Sequence, residues 1–246
     1  MNEAVRISGL AKNYGRAEAL RGFNLSLSKG EFVGILGANG AGKTTAIECA
    51  LGMRKKDSGE VRILGMDPVR DRRRMFERVG IQFQDTAYQD KIRVGEALAY
   101  QAALYEKAAD WREILARLSL TGKDNSLVSE LSGGERQKLS VALALVGNPE
   151  LLFLDELTTG LDPRSRRTTW DYLLERKAAG TSAVLASHFM DEVEYLCDAI
   201  VVLRKGEIVE TGTSEAIKRA HGAKTLEDAF LAIAEEGELM TSGEDC

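Results

Sequence analysis

Apolar and polar residues alternate across FNLSLS, Phe23 to Ser28, the period of a strand with one face in a core and the other in water. EFVGILG follows with hardly a polar position, and so reads as a central strand covered on both faces. DSGEVRILG places a turn before another short strand, and ERVGIQFQD supplies one more that ends at Gln84 and Asp85. From Ile92 to Leu120 the period changes. Trp111, Ile114, Leu115 and Leu118 fall three, four and seven apart on one helical face, with no strand signal among them, which predicts a helical insertion. ELLFLDE, after Asn148-Pro149, is a second strongly apolar strand, and a helix holding Trp170, Leu173 and Leu174 ends at Gly180. SAVLASH then reads as strand, DEVEYLC as helix, and AIVVLRKGEIVETG as a hairpin turning at Lys205-Gly206. Strands alternating with helices predict an α/β fold whose sheet is mostly parallel and covered on both faces. The polar end, MTSGEDC, is expected to fray.

Between EFVGILG and the next helix lies GANGAGKTT. Gly37, four residues, then Gly42-Lys43-Thr44 fits the phosphate-binding loop, in which the amides of Gly37, Ala38, Asn39, Gly40, Ala41 and Gly42 and the helix start through Thr45 cradle a polyphosphate. Lys43 would set its ammonium against the β- and γ-phosphates, and the Thr44 hydroxyl would ligate Mg²⁺. Asp155, closing ELLFLD, stands where an acid from a neighbouring strand holds the same ion, although an acid at a strand end also serves as a helix cap or solvated charge. Glu156 comes next and can polarise an attacking water as general base, a second acid that binding alone does not require. His188 ends an apolar strand on the side where the carboxyl ends of parallel strands gather, and a histidine there serves structure as readily as catalysis.

LSGGERQKLSVALAL carries a second anion-binding helix start, in which Ser132, Gly133, Gly134 and Glu135 offer a hydroxyl and bare amides. One nucleotide does not need both starts. Either this is an ordinary glycine-containing N-cap, or it caps the γ-phosphate bound by a second copy, and the complete site forms only in a dimer.

With 246 residues, 44% of them hydrophobic and 29% charged, the chain can bury a real core as one compound domain. Its net charge of -5 argues against a nucleic-acid backbone as its main partner, and the basic run RDRRRMFER reads as a solvated face. The odd set Cys49, Cys197 and Cys246 lacks metal-ligand spacing, which predicts reduced thiols in the cytoplasm. MNEAVRISG shows no charged-then-apolar leader, and no apolar run approaches the ~20 residues that span a bilayer, so any membrane role would rest on another chain.

Taken in order, these motifs resemble the ATP-binding cassette (ABC) ATPases, from Val5 to about Gly212. GANGAGKTT looks like the family's Walker A, Gln84 like the Q-loop glutamine that also reaches the magnesium, and LSGGE like the signature. LLFLDE looks like Walker B, TGLD (Thr159 to Asp162) like the D-loop, and His188 like the switch histidine. Tyr14, in KNYG, matches the aromatic that stacks on adenine. Ala38 and Leu157 stand where proline is usual, and Glu135 where glutamine is frequent.

The resemblance implies a three-layer P-loop NTPase (RecA-like) core with an N-terminal antiparallel β subdomain and an inserted helical subdomain. Residues 1–90 and 146–221 would form the core with the β subdomain, 91–145 the helical subdomain with the signature, and 222–246 a C-terminal helix and tail. It implies ATP and Mg²⁺ as cofactors, and a homodimer or pseudo-dimer closing head to tail around two ATPs. It also implies an integral membrane permease as partner, which would hold the subunit on the inner face of the cell membrane, with QDTAYQDKIR (Gln84 to Arg93) as the candidate contact. TLEDAFLAIA resembles the tails of ATPase subunits from bacterial drug and antibiotic exporters. The alternative is a soluble ABC-type ATPase acting on ribosomes or DNA. Such members usually carry two cassettes or a long coiled coil, whereas this chain shows one cassette and no heptad insertion.

Overall fold

The computed structural model describes residues 3–83 and 88–241, without the side chains of 236–241. β1 (Glu3–Tyr14) and β2 (Ala17–Ser28) pair antiparallel; β3 (Phe32–Leu36) leaves them for a second sheet. After α1 (Lys43–Ala50), β4 (Ser58–Ile63) returns to the free side of β1, giving an antiparallel sheet in the order β2-β1-β4. The chain then runs through α2 (Arg72–Phe76), β5 (Val79–Gln82) and three helices, α3 (Val94–Ala102), α4 (Trp111–Arg117) and α5 (Gly133–Leu145). β6 (Leu151–Asp155), α6 (Pro163–Ala178), β7 (Ser182–Ser187), α7 (Met190–Leu196) and β8 (Ala199–Arg204) follow. β9 (Glu207–Gly212), α8 (Ser214–Ala220) and α9 (Leu226–Thr241) close the described chain. The second sheet runs β5-β6-β7-β3-β8-β9, all parallel except β9, which turns back on β8.

Burial follows the period of the sequence. In β2, Phe23, Leu25 and Leu27 are buried while Asn24 and Ser26 are exposed, and every residue of β3, β6 and β7 is buried. Successive strand residues point to opposite faces, so each buried strand feeds two cores. Val33, Ile35 and Phe153 pack with α1 and the antiparallel sheet. Phe32, Leu36, Leu152 and Leu154 pack with α5, α6 and α7, and Leu98, Ile114 and Leu118 from the inserted helices join the same cluster. The insertion is therefore seated on the sheet, and Gly80 makes the seat: a Cβ there would lie 2.1 Å from the Ala144 carbonyl oxygen of α5. Between Ile92 and Leu120 the helical pattern divides into α3 and α4, with residues 103–110 as a connection.

Parallel pairing aligns the carboxyl ends of the central strands, with Leu36 opposite Ser187 and Asp155 opposite Ala186. The segments that follow β3, β6 and β7 therefore emerge at one edge, where an open parallel sheet places its ligand crevice.

Candidate functional site

After β3 the chain makes a loop that tolerates little but glycine at three points. Gly40 and Gly42 have φ of 80° and 110°, the left-handed region, and a Cβ on Gly37 would stand 2.5 Å from the Leu203 carbonyl oxygen. Ala38, Asn39 and Gly40 are exposed, Ala41 is buried, and α1 starts at Lys43 with no side-chain cap, so its first amides are open to an anion. Lys43 is 6% exposed and folds back over the loop, donating from Nζ to the carbonyls of Gly37 (2.7 Å) and Ala38 (3.1 Å). Burial lowers its pKa, while the nearby Glu156 and Asp155 carboxylates oppose that shift. Thr44 is exposed and Thr45 half-buried on the first turn.

Asp155 ends β6 at 1% exposure, with the Thr44 hydroxyl beside its carboxylate but neither oxygen in a hydrogen bond of good geometry. Burial raises its pKa, against the pull of the Thr44 hydroxyl and of Lys43. A buried, unpaired carboxylate is costly unless a cation compensates it. Among the described residues no cluster of three His, Cys, Asp or Glu could hold a metal alone. The Asp155 carboxylate beside the Thr44 hydroxyl is an oxygen set that suits a small hard cation such as Mg²⁺, which takes one or two protein oxygens and fills its sphere with phosphates and water. The residues present fit it.

Glu156 has φ of 57°, a left-handed backbone that costs a side-chain-bearing residue of order 1–3 kcal/mol and needs support from its surroundings. Its amide donates to the Ala186 carbonyl (2.9 Å), and its carbonyl accepts from Gln137 Nε2 (2.9 Å). Its Oε2 accepts from the Thr159 hydroxyl at 3.0 Å and lies 2.6 Å from His188 Nδ1, off the direction of a ring N–H bond. The His188 ring stacks on Phe189 with centroids 4.0 Å apart. Lys43, Thr44, Asp155, Glu156 and His188, drawn from three strand ends, thus converge.

Ser132 to Glu135 open α5, Asp162 precedes α6 and Tyr14 closes β1. At the start of α5, Ser132 Oγ accepts from the Glu135 amide and Glu135 Oε2 accepts from the Ser132 amide, a closed capping box. Gly133 and Gly134 are left with amides that have no intrahelical acceptor, and a Cβ added to Gly133 would meet nothing within 4 Å. Lys123 pairs with Glu135 at 2.8 Å and holds its carboxyl below the usual range. Asp162 caps α6 by accepting from the Ser165 amide. Tyr14, 42% exposed at the end of β1, is flanked by Lys12 and Arg54, 5.4 and 5.3 Å from its ring centre. Gln84, together with Asp85, Thr86 and Ala87 of the expected contact segment, lies outside the described residues. Leu157, in place of the usual proline, is fully buried in the core beneath the sheet.

Three residues here carry no signal in the sequence pattern. Gln137 donates to both the Glu156 and Leu157 carbonyls. Gln82, 1% exposed, donates to the Asp155 carbonyl at 3.0 Å. Glu192 is fully buried under the loop that follows Glu156, accepting from Thr158 (2.5 Å) and the Trp170 indole (3.3 Å). Each is a polar residue on a face that period alone assigns to solvent or to core.

Residues 20–159 match the family model described as ABC transporter. Over 241 residues the chain is 32% identical to the daunorubicin resistance ATP-binding protein DrrA3 of Streptomyces coeruleorubidus, covering 96% of this chain and 75% of that protein. It is 36% identical over 231 residues to the Nod factor export ATP-binding protein I of Mesorhizobium japonicum, covering 91% and 68%. A solved structure of an ATP-binding subunit of an ABC transporter superposes with a TM-score of 0.86 at 24% identity, over 94% of this chain and 99% of that one.

Proposed function

Because the chain belongs to the ABC transporter family, as an ATP-hydrolysing cassette with the P-loop NTPase fold, we propose that two copies close head to tail around two ATPs and drive a separate membrane permease. The observation that carries this reading is a pair of helix starts with unpaired amides on one chain, α1 behind the glycine loop and, inside the capping box, Gly133 and Gly134 of α5. Each would contact a different nucleotide, one in its own copy and one in the partner.

In this reading the loop amides and Lys43 bind the β- and γ-phosphates, and Lys43 exchanges its two carbonyl acceptors for phosphate oxygens. Asp155, Thr44 and Gln84 would hold Mg²⁺, which when bound neutralises charge on the phosphates. Glu156 accepts a proton from the attacking water, with Thr159 fixing the carboxylate and His188 beside it to orient the γ-phosphate. Tyr14 stacks on adenine. Ser132, Gly133, Gly134 and Glu135 close the partner's site, with Asp162 near the seam between copies.

The permease would dock in a groove of about 690 Å³ between the sheet edge and the inserted helices, lined by Phe76, Val79, Ile81, Phe83, Leu104 and Tyr105. Its apolar floor and the Arg72, Arg73 and Glu77 rim suit a short amphipathic helix. Among the described residues no helix is long and apolar enough to cross a membrane, so this reading assigns the spanning to the permease and places the subunit on the inner membrane face. The named resistance and export relatives favour an exporter.

Affinity purification of the chain from detergent-solubilised membranes of its own cells tests the transport reading. A polytopic membrane protein should co-purify, and Phe83→Asp should release it. Recovery of ribosomes or DNA in its place would favour the soluble ATPase.

A further inference from the structure

The backbone at Glu156 is left-handed, and a glutamate does not hold that conformation unaided. Among the described residues two hydrogen bonds reach its main chain from outside its own turn, apart from the His188 ring beside its carboxylate. One is the hydrogen bond its amide donates to the Ala186 carbonyl of β7, which is ordinary sheet-edge pairing. The other is a side chain: Gln137 Nε2 donates to the Glu156 carbonyl at 2.9 Å and to the Leu157 carbonyl at 2.8 Å. Gln137 lies on α5, within two turns of the Ser132 start of the same helix. Behind it α5 packs into the core cluster through Leu139, Val141, Ala142 and Leu145.

We infer that Gln137 is a positioning residue: its carboxamide holds the Glu156 peptide in the conformation that aims the carboxylate at water, and it passes movement of the Ser132 end of α5 to that peptide. The second half rests on the two-copy reading above. In that reading the Ser132 end meets the partner's γ-phosphate, so one side chain connects the nucleotide a copy caps with the glutamate that acts on the nucleotide it binds. The Gln137 bonds reach the main chain of Glu156 itself; elsewhere the start of α5 packs on the segment after β6 at Gly134, where an added Cβ would stand 3.4 Å from the Gly160 carbonyl oxygen.

The test uses the purified full-length chain and two substitutions of nearly equal helix propensity. Gln137→Met keeps length and shape and removes both donors; Gln137→Lys restores a donor of similar reach. Gln137→Met should lower kcat by about 10-fold, the scale of two neutral hydrogen bonds, with the KM for MgATP within ~2-fold of wild type because no nucleotide contact is touched. Gln137→Lys should recover most of kcat. The dependence of rate on ATP should be sigmoidal in wild type and less so in Gln137→Met, since dimer closure on two nucleotides still contributes. Wild-type kcat in Gln137→Met overturns the inference. So does a loss of kcat that tracks a fall in melting temperature and is not recovered by Lys, since that is the signature of mere packing. An unchanged Hill coefficient overturns the transmission. If Glu156→Gln dimerises on MgATP while Gln137→Met behaves as wild type, only this inference falls; if Glu156→Gln stays monomeric, the two-copy reading falls first.

Discussion

Gly80→Ala isolates how tightly the inserted helices are registered to the catalytic edge. Gly80 sits in β5 beneath α5, and a Cβ at that point would stand 2.1 Å from the Ala144 carbonyl oxygen and 2.9 Å from a Leu152 methyl. The leucine tip can rotate away; the helix carbonyl cannot. An ordinary contact needs about 3.5 Å, so α5 must withdraw by roughly 1 Å or more or the strand must buckle. Overpacking of this kind costs about 1–3 kcal/mol. The smaller conformational freedom of alanine in the unfolded chain offsets ~0.4–1 kcal/mol of that. A net loss of about 1–2 kcal/mol lowers the melting temperature by roughly 2–8 °C in a chain of this size. The same displacement stretches the Gln137 bonds to Glu156 and Leu157, now 2.9 and 2.8 Å, toward the ~3.5 Å beyond which such a bond is lost. Nucleotide-free melting followed by steady-state phosphate release should therefore show a modest loss of stability and a larger fractional loss of kcat, with KM nearly kept. A melting point equal to or above wild type would refute the packing argument, and an unaltered kcat on a destabilised fold would refute the link from α5 to Glu156.

Lys43→Ala removes a charge-assisted contact to phosphate and should weaken ATP binding by about 10- to 100-fold in equilibrium titration; unaltered affinity would count against the loop assignment. Burial raises the Glu192 carboxyl above its ordinary 4.5, more than the hydroxyls of Ser187 and Thr158 and the Trp170 indole lower it. The folded chain then binds more protons than the unfolded one, so this group's contribution to stability is greatest below that ordinary value and falls as pH rises through the raised pKa. Glu192→Gln keeps acceptors for Thr158 and Trp170 without the charge. Its melting temperature should match wild type near pH 4.5, exceed it increasingly as pH rises, and level off; an advantage that is constant across pH would show that charge is not the cause.

The strands and the layering were legible because strand period and burial coincide: FNLSLS alternates and ELLFLD does not, and the structure covers one face of the first and both faces of the second. The strand order was not, because it depends on pairing between distant segments that the period does not encode. The glycines, Lys43, Asp155 and Glu156 were legible for a related reason. Each follows or closes a strand, and parallel pairing brings those strand ends to one edge, an arrangement that linear order preserves. α2 escaped notice because RRRMF buries only Met75 and so has no period. Gln137, Gln82 and Glu192 escaped for a different reason. Each acts across 19 to 73 residues of chain on a carbonyl or hydroxyl, and an acceptor of that kind leaves no mark in the pattern of side chains. The capping box at Ser132 and Glu135 was half legible: the residues stood out as a helix start, while the structure shows them satisfying each other and leaving the two glycine amides without an intrahelical acceptor.

The central claim is that one chain supplies half of each ATP site. Sedimentation of the Glu156→Gln chain with and without MgATP tests it directly, because removing the base keeps the nucleotide intact. The account predicts a species of twice the chain mass with MgATP that holds two nucleotides and dissociates when Mg²⁺ is chelated, and no such species when Ser132→Arg is added. A chain that binds MgATP stoichiometrically and remains monomeric at every concentration would contradict it.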